Sequence, residues 1–201
     1  MQETLIDLIR HGEPVGGSRY RGQIDDPLSE KGWAQMRTAV AGYTDWDCIV
    51  SSSLSRCADF ANELGQQLTL PVQLDDRLKE IGFGSWEGKT KAELNTQMPG
   101  VVERFSHDPV KYRPEGAETL LDFRSRVIAA WNEIIQQYAG KRVLVVGHAG
   151  MMRMIVREVL EMPLEMMFHL DVPNAGISRI RVSHYQGELN SSLVFHVGKL
   201  L

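Results

Sequence analysis

Five short apolar runs rich in β-branched residues divide this chain: residues 5–9, 48–50, 143–146, 177–182 and 193–197. Their length and β-branched content favour strands. Between them lie helical stripes. From about residue 118 to 138, Leu120, Phe123, Val127, Trp131, Ile134 and Tyr138 recur at helical spacing and fall on one face. A second stripe carries Leu54, Ala58, Ala61, Leu64 and Leu68, and a third Met152, Ile155, Val156, Val159 and Leu160. A fourth starts near Ser29, a suitable cap, and carries Trp33, Met36 and Val40. Strands alternating with helices predict an α/β fold with a mainly parallel sheet.

Three strand ends share a further pattern. Residues 5–9 run into Arg10-His11-Gly12-Glu13, residues 48–50 into Ser51-Ser52-Ser53-Leu54-Ser55-Arg56, and residues 143–146 into Gly147-His148-Ala149-Gly150. Each places a guanidinium or imidazole just past the carboxyl end of a buried strand, the edge at which open α/β sheets bind ligands. Helices begin directly after the second and third segments, and their free N–H groups favour an anion at the same edge. Taken singly, a His or Arg there is more often structural. Two arginines, two histidines and two helix starts together describe a seat for a dianion such as phosphate, whose oxygens match the guanidinium fork.

The rest of the composition narrows the function classes. A net charge of −4 gives no basic excess for general nucleic-acid or membrane-surface binding. The two cysteines, Cys48 and Cys57, are too few for a disulfide scaffold and lack zinc-site spacing, so they read as small core residues. The start, Met1-Gln2-Glu3-Thr4, lacks a basic leader, and no apolar stretch approaches membrane-spanning length, so the cytoplasm is expected. With no repeat and no linker, a single domain over residues 1–201 is expected.

The segment Leu8-Ile9-Arg10-His11-Gly12-Glu13 resembles the signature of the histidine phosphatase superfamily, the phosphoglycerate mutase-like family. Four more blocks resemble it in the same order: residues 22–32, 52–56, 78–88 and 145–150. The resemblance implies a three-layer α/β/α fold and a phosphomonoesterase with neither metal nor cofactor. It implies His11 as the nucleophile that becomes phosphohistidine. Arg10, Arg56 and His148 then grip the phosphoryl oxygens, and Glu80 protonates the leaving oxygen before activating water. Glu87 and Glu118 are weaker candidates for the acid, and Glu118 reads equally as a first-turn helix residue. Glu13 either orients a neighbour or begins the loop. Many members carry Thr after the signature and then an Asn that helps hold phosphate; here Pro14 and Gly16-Gly17 stand at those places. Ser18, Arg19 or Arg21 could replace the Asn. Arg21 and Ala149 join Arg10 and Arg56 in the expected substrate-binding set.

Residues 161–172 and the stretch from Gly16 to Gly22 resemble the α-ribazole phosphatase subfamily, which makes α-ribazole 5′-phosphate of cobalamin assembly the first candidate substrate. Phosphotransfer of the mutase type, or another small phosphometabolite, is the alternative; a catalytically silent phosphate binder is disfavoured because all five site residues are present. Residues 85–116 are expected to form a lid or specificity segment. Trp86, Phe105, Tyr112 and Arg113 lie there, either stacking on a planar leaving group or packing the lid. His107, His169, His184 and His196 read as structural or exposed. The expected partner is a small phosphorylated metabolite; nucleic acid and membrane are not expected, and a homodimer is left open.

Overall fold

The computed structural model describes residues 3–185, 188–198 and 200; Met1 and Gln2 of the N-terminal stretch, and the side chain of His184, lie outside the described ones. The elements in chain order are β1 (Glu3–Arg10), α1 (Glu30–Val40), β2 (Cys48–Ser51), α2 (Ser55–Leu68), β3 (Val72–Leu74), α3 (Lys91–Gln97), α4 (Val101–His107), α5 (Leu120–Gln137), β4 (Arg142–Gly147), α6 (Ala149–Val159), β5 (Ile177–Tyr185) and β6 (Glu188–Gly198). The six strands form one sheet in the order β3-β2-β4-β1-β5-β6.

The apolar runs are strands because the sheet is buried on both faces, where alternate residues feed separate cores. Ile6, Leu8, Cys48, Val50, Val143 and Val145 pack with α5 and α6. Ile9, Ile49, Leu144 and Val146 point the other way, onto α1 and α2. Two helical layers around one sheet make the expected three-layer α/β/α arrangement. Ser29 caps α1 through Gly32 N, and Thr119 caps α5 through Asp122 N. No helix among the described residues is long and apolar enough to cross a membrane.

The sheet is mixed. β3, β2, β4 and β1 are parallel, whereas β5 runs antiparallel to β1 and β6 antiparallel to β5. Tyr185 and Glu188 are too close for a crossover helix, so β5 and β6 form a hairpin. β3, a short edge strand with no fully buried residue, has no apolar run to announce it. Register sets up the functional edge. Arg10 lies opposite Gly147 and Ser51 opposite Val146, so the segments leaving β1, β2 and β4 emerge side by side.

One charge lies inside this frame. Asp7 of β1 is 2% exposed. It accepts from Trp46 Nε1 (2.9 Å), Arg179 Nε (2.7 Å) and Arg179 Nη2 (2.9 Å). Arg179 also donates to the Tyr43 hydroxyl, and its pairing with Asp7 raises its pKa further above the ordinary arginine value. Asp7→Ala should destabilise the fold by about 3–5 kcal/mol in urea melts, because it strands a largely buried guanidinium. Asp7→Leu combined with Arg179→Met should recover much of that loss. A single-variant loss under about 1 kcal/mol would show that the pair contributes as little as a surface ion pair.

Candidate active site

His11 follows β1 directly, and its N–H donates to Gly147 O (2.9 Å), extending the ladder by one residue. The ring is 6% exposed. Nδ1 lies 2.7 Å from Gly12 O, and since a carbonyl only accepts, Nδ1 carries the hydrogen and Nε2 keeps its lone pair. Gly12 is required by a close approach: a Cβ there would collide with the backbone of Gly32, and one on Gly32 with the backbone of Glu13. The N-terminal turn of α1 is thereby pressed against the His11 loop.

Two arginines flank the imidazole. Arg10 donates from Nη1 to Val172 O (2.6 Å). Arg56, 1% exposed at the start of α2, donates from Nη1 to Ile24 O (2.7 Å) and from Nη2 to Gly22 O (2.8 Å). The Nε of each arginine is buried and has no hydrogen-bond partner. Unsatisfied buried donors of this kind are rare and point to a missing acceptor.

Glu80 stands above. Its Oε1 accepts from its neighbour Ile81 N (3.0 Å) and its Oε2 from Gly150 N (3.1 Å), in the first turn of α6. A Cβ at Gly150 would displace the Glu80 carboxylate from this seat. The loop that carries Glu80 is braced from α5. Arg126 donates to the carbonyls of Arg77, Lys79 and Glu80 at 2.7, 2.7 and 2.9 Å. Arg126 is held in turn by Glu118 (2.6 and 2.8 Å), which also accepts from Gly82 N. Glu118 is thus committed to this brace, and Glu87 accepts from Phe83 N and Gln23 N; Glu80 is the only one of the three acid candidates that lines the cavity.

His148 is fully buried, with its ring centroid 5.2 Å from that of His11. Its Nε2 lies 2.8 Å from Ser52 Oγ, and Cys57 Sγ is 3.6 Å from the same nitrogen. It meets the His11 ring edge-on. Burial pushes the thiols of Cys48 and Cys57 above their ordinary values, as expected of core cysteines.

The cavity, of about 440 Å³, is lined by Arg10, His11, Arg56, Glu80, Ala149 and, from the following loop, Glu13, Ser18, Arg19 and Arg21. Arg21 reaches it but is tied through Nε to Asp26 (2.9 Å) and through Nη2 to Val15 O (2.6 Å). Arg19 bridges Gly16 O and Gly88 O, and Glu13 pairs with Lys31. From residues 85–116 the cavity takes Lys91, Phe105 and Ser106; Trp86 packs beside Phe105, while Tyr112 and Arg113 lie elsewhere. His107 and His169 are exposed, and His196 is structural, bonded to Ser178 Oγ and Asp171 O. Sequence reasoning missed Phe83, Arg153, Phe168, Asp171 and Asn174. Arg153 was legible, since it lies one turn after Ala149 on the same helix face.

A model of the "Histidine phosphatase superfamily (branch 1)" matches residues 6–193. A bifunctional protein of Mycobacterium tuberculosis is 34% identical over 203 residues, covering 98% of this chain and 55% of that protein. The chain thus spans about half the length of the first curated relatives it matches. Phosphoserine phosphatase 1 of Hydrogenobacter thermophilus is 30% identical over 96% of this chain and 93% of its own. Among solved structures, a mycobacterial glucosyl-3-phosphoglycerate phosphatase in complex with VO3 superposes with a TM-score of 0.84 at 29% identity, covering 95% of this chain and 97% of that one. An Escherichia coli protein described as a putative alpha-ribazole-5′-P phosphatase gives 0.79 at 26%, covering 96% and 95%.

Burial, then Arg10 and Arg56, hold the His11 pKa well below the ordinary 6.5; burial and Arg56 do the same to His148. Both rings are therefore neutral in the free protein at neutral pH. The stability gained by keeping them neutral is complete above pH 6.5. It is lost as the pH falls from there through the depressed folded-state values, since the unfolded chain takes up protons first. Nitrogen-15 NMR at pH 5.5, where an ordinary imidazole is about nine-tenths protonated, should find both rings less protonated than that. Protonation of either ring to the ordinary extent at that pH would contradict this electrostatic account.

Proposed function

The chain belongs to the histidine phosphatase superfamily, and on that premise we propose that it is a metal-independent phosphomonoesterase that carries the phosphoryl group on His11. The observation that carries this reading is the pair of partnerless, buried Nε donors of Arg10 and Arg56, whose side chains line one cavity with an imidazole that has its Nδ1 committed to Gly12 O.

A phosphate dianion entering the cavity accepts from those two N–H groups, and the N-terminus of α6 at Ala149 adds its dipole. His11 Nε2 attacks phosphorus, an N–P bond forms and the P–O bond to the alcohol breaks. Glu80 gives its proton to the departing oxygen. In the second step Glu80 takes a proton from water, the water oxygen attacks phosphorus, and the N–P bond breaks to release phosphate and regenerate neutral His11. The fixed guanidinium charges do what a metal ion would do for the equatorial oxygens. His148 and Ser52 form the wall that keeps the His11 ring in line.

The named relatives share the phosphate half of their substrates and differ in the alcohol. α-Ribazole 5′-phosphate, the candidate drawn from the sequence, therefore belongs in one panel with phosphoserine and glucosyl-3-phosphoglycerate.

Rapid quench with ³²P-labelled phenyl phosphate should trap an acid-labile, base-stable phosphoenzyme in the wild type and none in His11→Ala. Turnover of His11→Ala should fall on the order of 10⁴-fold or more. Excess EDTA should leave turnover intact. Label on Ser52, substantial His11→Ala activity, or loss in EDTA restored by Mg²⁺ would overturn the mechanism.

A further inference from the structure

The cavity extends beyond the phosphate seat, and one cation in that outer half is not used by the mechanism above. Arg153 lies on the same face of α6 as Ala149, so its stem starts about 6 Å further along the axis. Glu80 sits against this turn, which puts Arg153 on the side from which the alcohol departs. The guanidinium is fixed in orientation: Nε donates to Leu170 O (2.8 Å), and the Phe168 ring lies 5.5 Å from its central carbon. Nη1 and Nη2 have no hydrogen-bond or ion-pair partner among the described residues. Burial lowers the Arg153 pKa, while Glu80 and Asp171 offset part of that through space. Neither carboxylate forms an ion pair with it. Glu80 is occupied by the N–H groups of Ile81 and Gly150, and the exposed Asp171 is anchored through its carbonyl by His196. Lys91 adds a second positive charge to the cavity lining, and Phe83, Phe105 and Phe168 supply an apolar wall.

A guanidinium with one edge tied back and two terminal N–H₂ groups free is the shape that receives a carboxylate bidentately. One helical turn is about the distance spanned by an ester oxygen, one or two carbons and a carboxylate. We propose that Arg153 is a specificity residue that binds a carboxylate on the alcohol half of the substrate, so that the preferred substrates are phosphate monoesters of small hydroxy acids. This rests on the phosphatase reading of the same cavity. It disfavours α-ribazole 5′-phosphate, whose alcohol carries no carboxylate.

The test compares 3-phosphoglycerate with glycerol 3-phosphate, which differ at the carboxylate carbon, in wild type, Arg153→Gln and Arg153→Lys. p-Nitrophenyl phosphate serves as a common reference, and thermal melts check folding. Wild type should favour 3-phosphoglycerate in kcat/KM by at least about tenfold, the worth of one charge-assisted hydrogen bond. Arg153→Gln should collapse that ratio towards one, mainly through KM, and Arg153→Lys should restore part of it. Equal losses on both esters would overturn the proposal and make Arg153 a support for Leu170 and Phe168. No wild-type preference for the carboxylated ester would also overturn it. A wild type that hydrolyses none of the three esters and traps no phosphoenzyme would instead remove the phosphatase reading, and this proposal with it.

Discussion

Everything at the functional edge depends on two guanidinium groups that each keep a buried Nε donor unmet. An unsatisfied buried donor costs about 1–3 kcal/mol. The fold bears this cost twice, at Arg10 Nε and Arg56 Nε, both on side chains that line the cavity with His11. It does so by tying Arg10 Nη1 to Val172 O, and both terminal nitrogens of Arg56 to Ile24 O and Gly22 O, carbonyls that come from two different loops. Those donors are fixed before any anion arrives. Reorganisation is therefore avoided during the reaction, which is the condition under which such donors are most effective.

The scaffold serves that arrangement through close backbone approaches and one brace. Register in the sheet brings the ends of β1, β2 and β4 level. The contact between Gly12 and Gly32 presses α1 onto the His11 loop, and Gly150 lets the Glu80 carboxylate reach the first turn of α6. The Arg126–Glu118 pair then gathers three carbonyls of the loop from Arg77 to Glu80, so the acid is positioned from α5, outside the cavity. The two helical layers thus hold opposite sides of one pocket, with α1 and α2 behind the nucleophile and Arg56, and α5 and α6 behind the acid.

Much of this was legible in the sequence because the chemistry sits next to the strongest pattern in it. Doubly buried strands read as unbroken apolar runs, and Arg10, His11, Arg56 and Ala149 lie within a few residues of their ends. Glu80 needed the family resemblance, since no periodic pattern surrounds it. What stayed hidden depends on long-range geometry. Nothing local to Glu118 announces a partner eight residues away that also gathers the acid loop. Nothing in Asp7, a lone carboxylate within an apolar strand, announces Trp46 and Arg179. For His148, a position one residue past a strand does not reveal that its ring meets Ser52 and, edge-on, the His11 ring. The antiparallel edge formed by β5 and β6 stayed hidden because the composition of a strand does not reveal its direction.

The most direct test of the central claim is a crystal structure of this protein with vanadate, which takes up the trigonal-bipyramidal geometry of phosphoryl transfer. The account expects vanadium bonded to His11 Nε2, its equatorial oxygens accepting from Arg10 Nε and Arg56 Nε, and the apical oxygen opposite His11 facing Glu80. Vanadate seated away from His11, or bound beside it with both Nε donors still unpartnered, would contradict it.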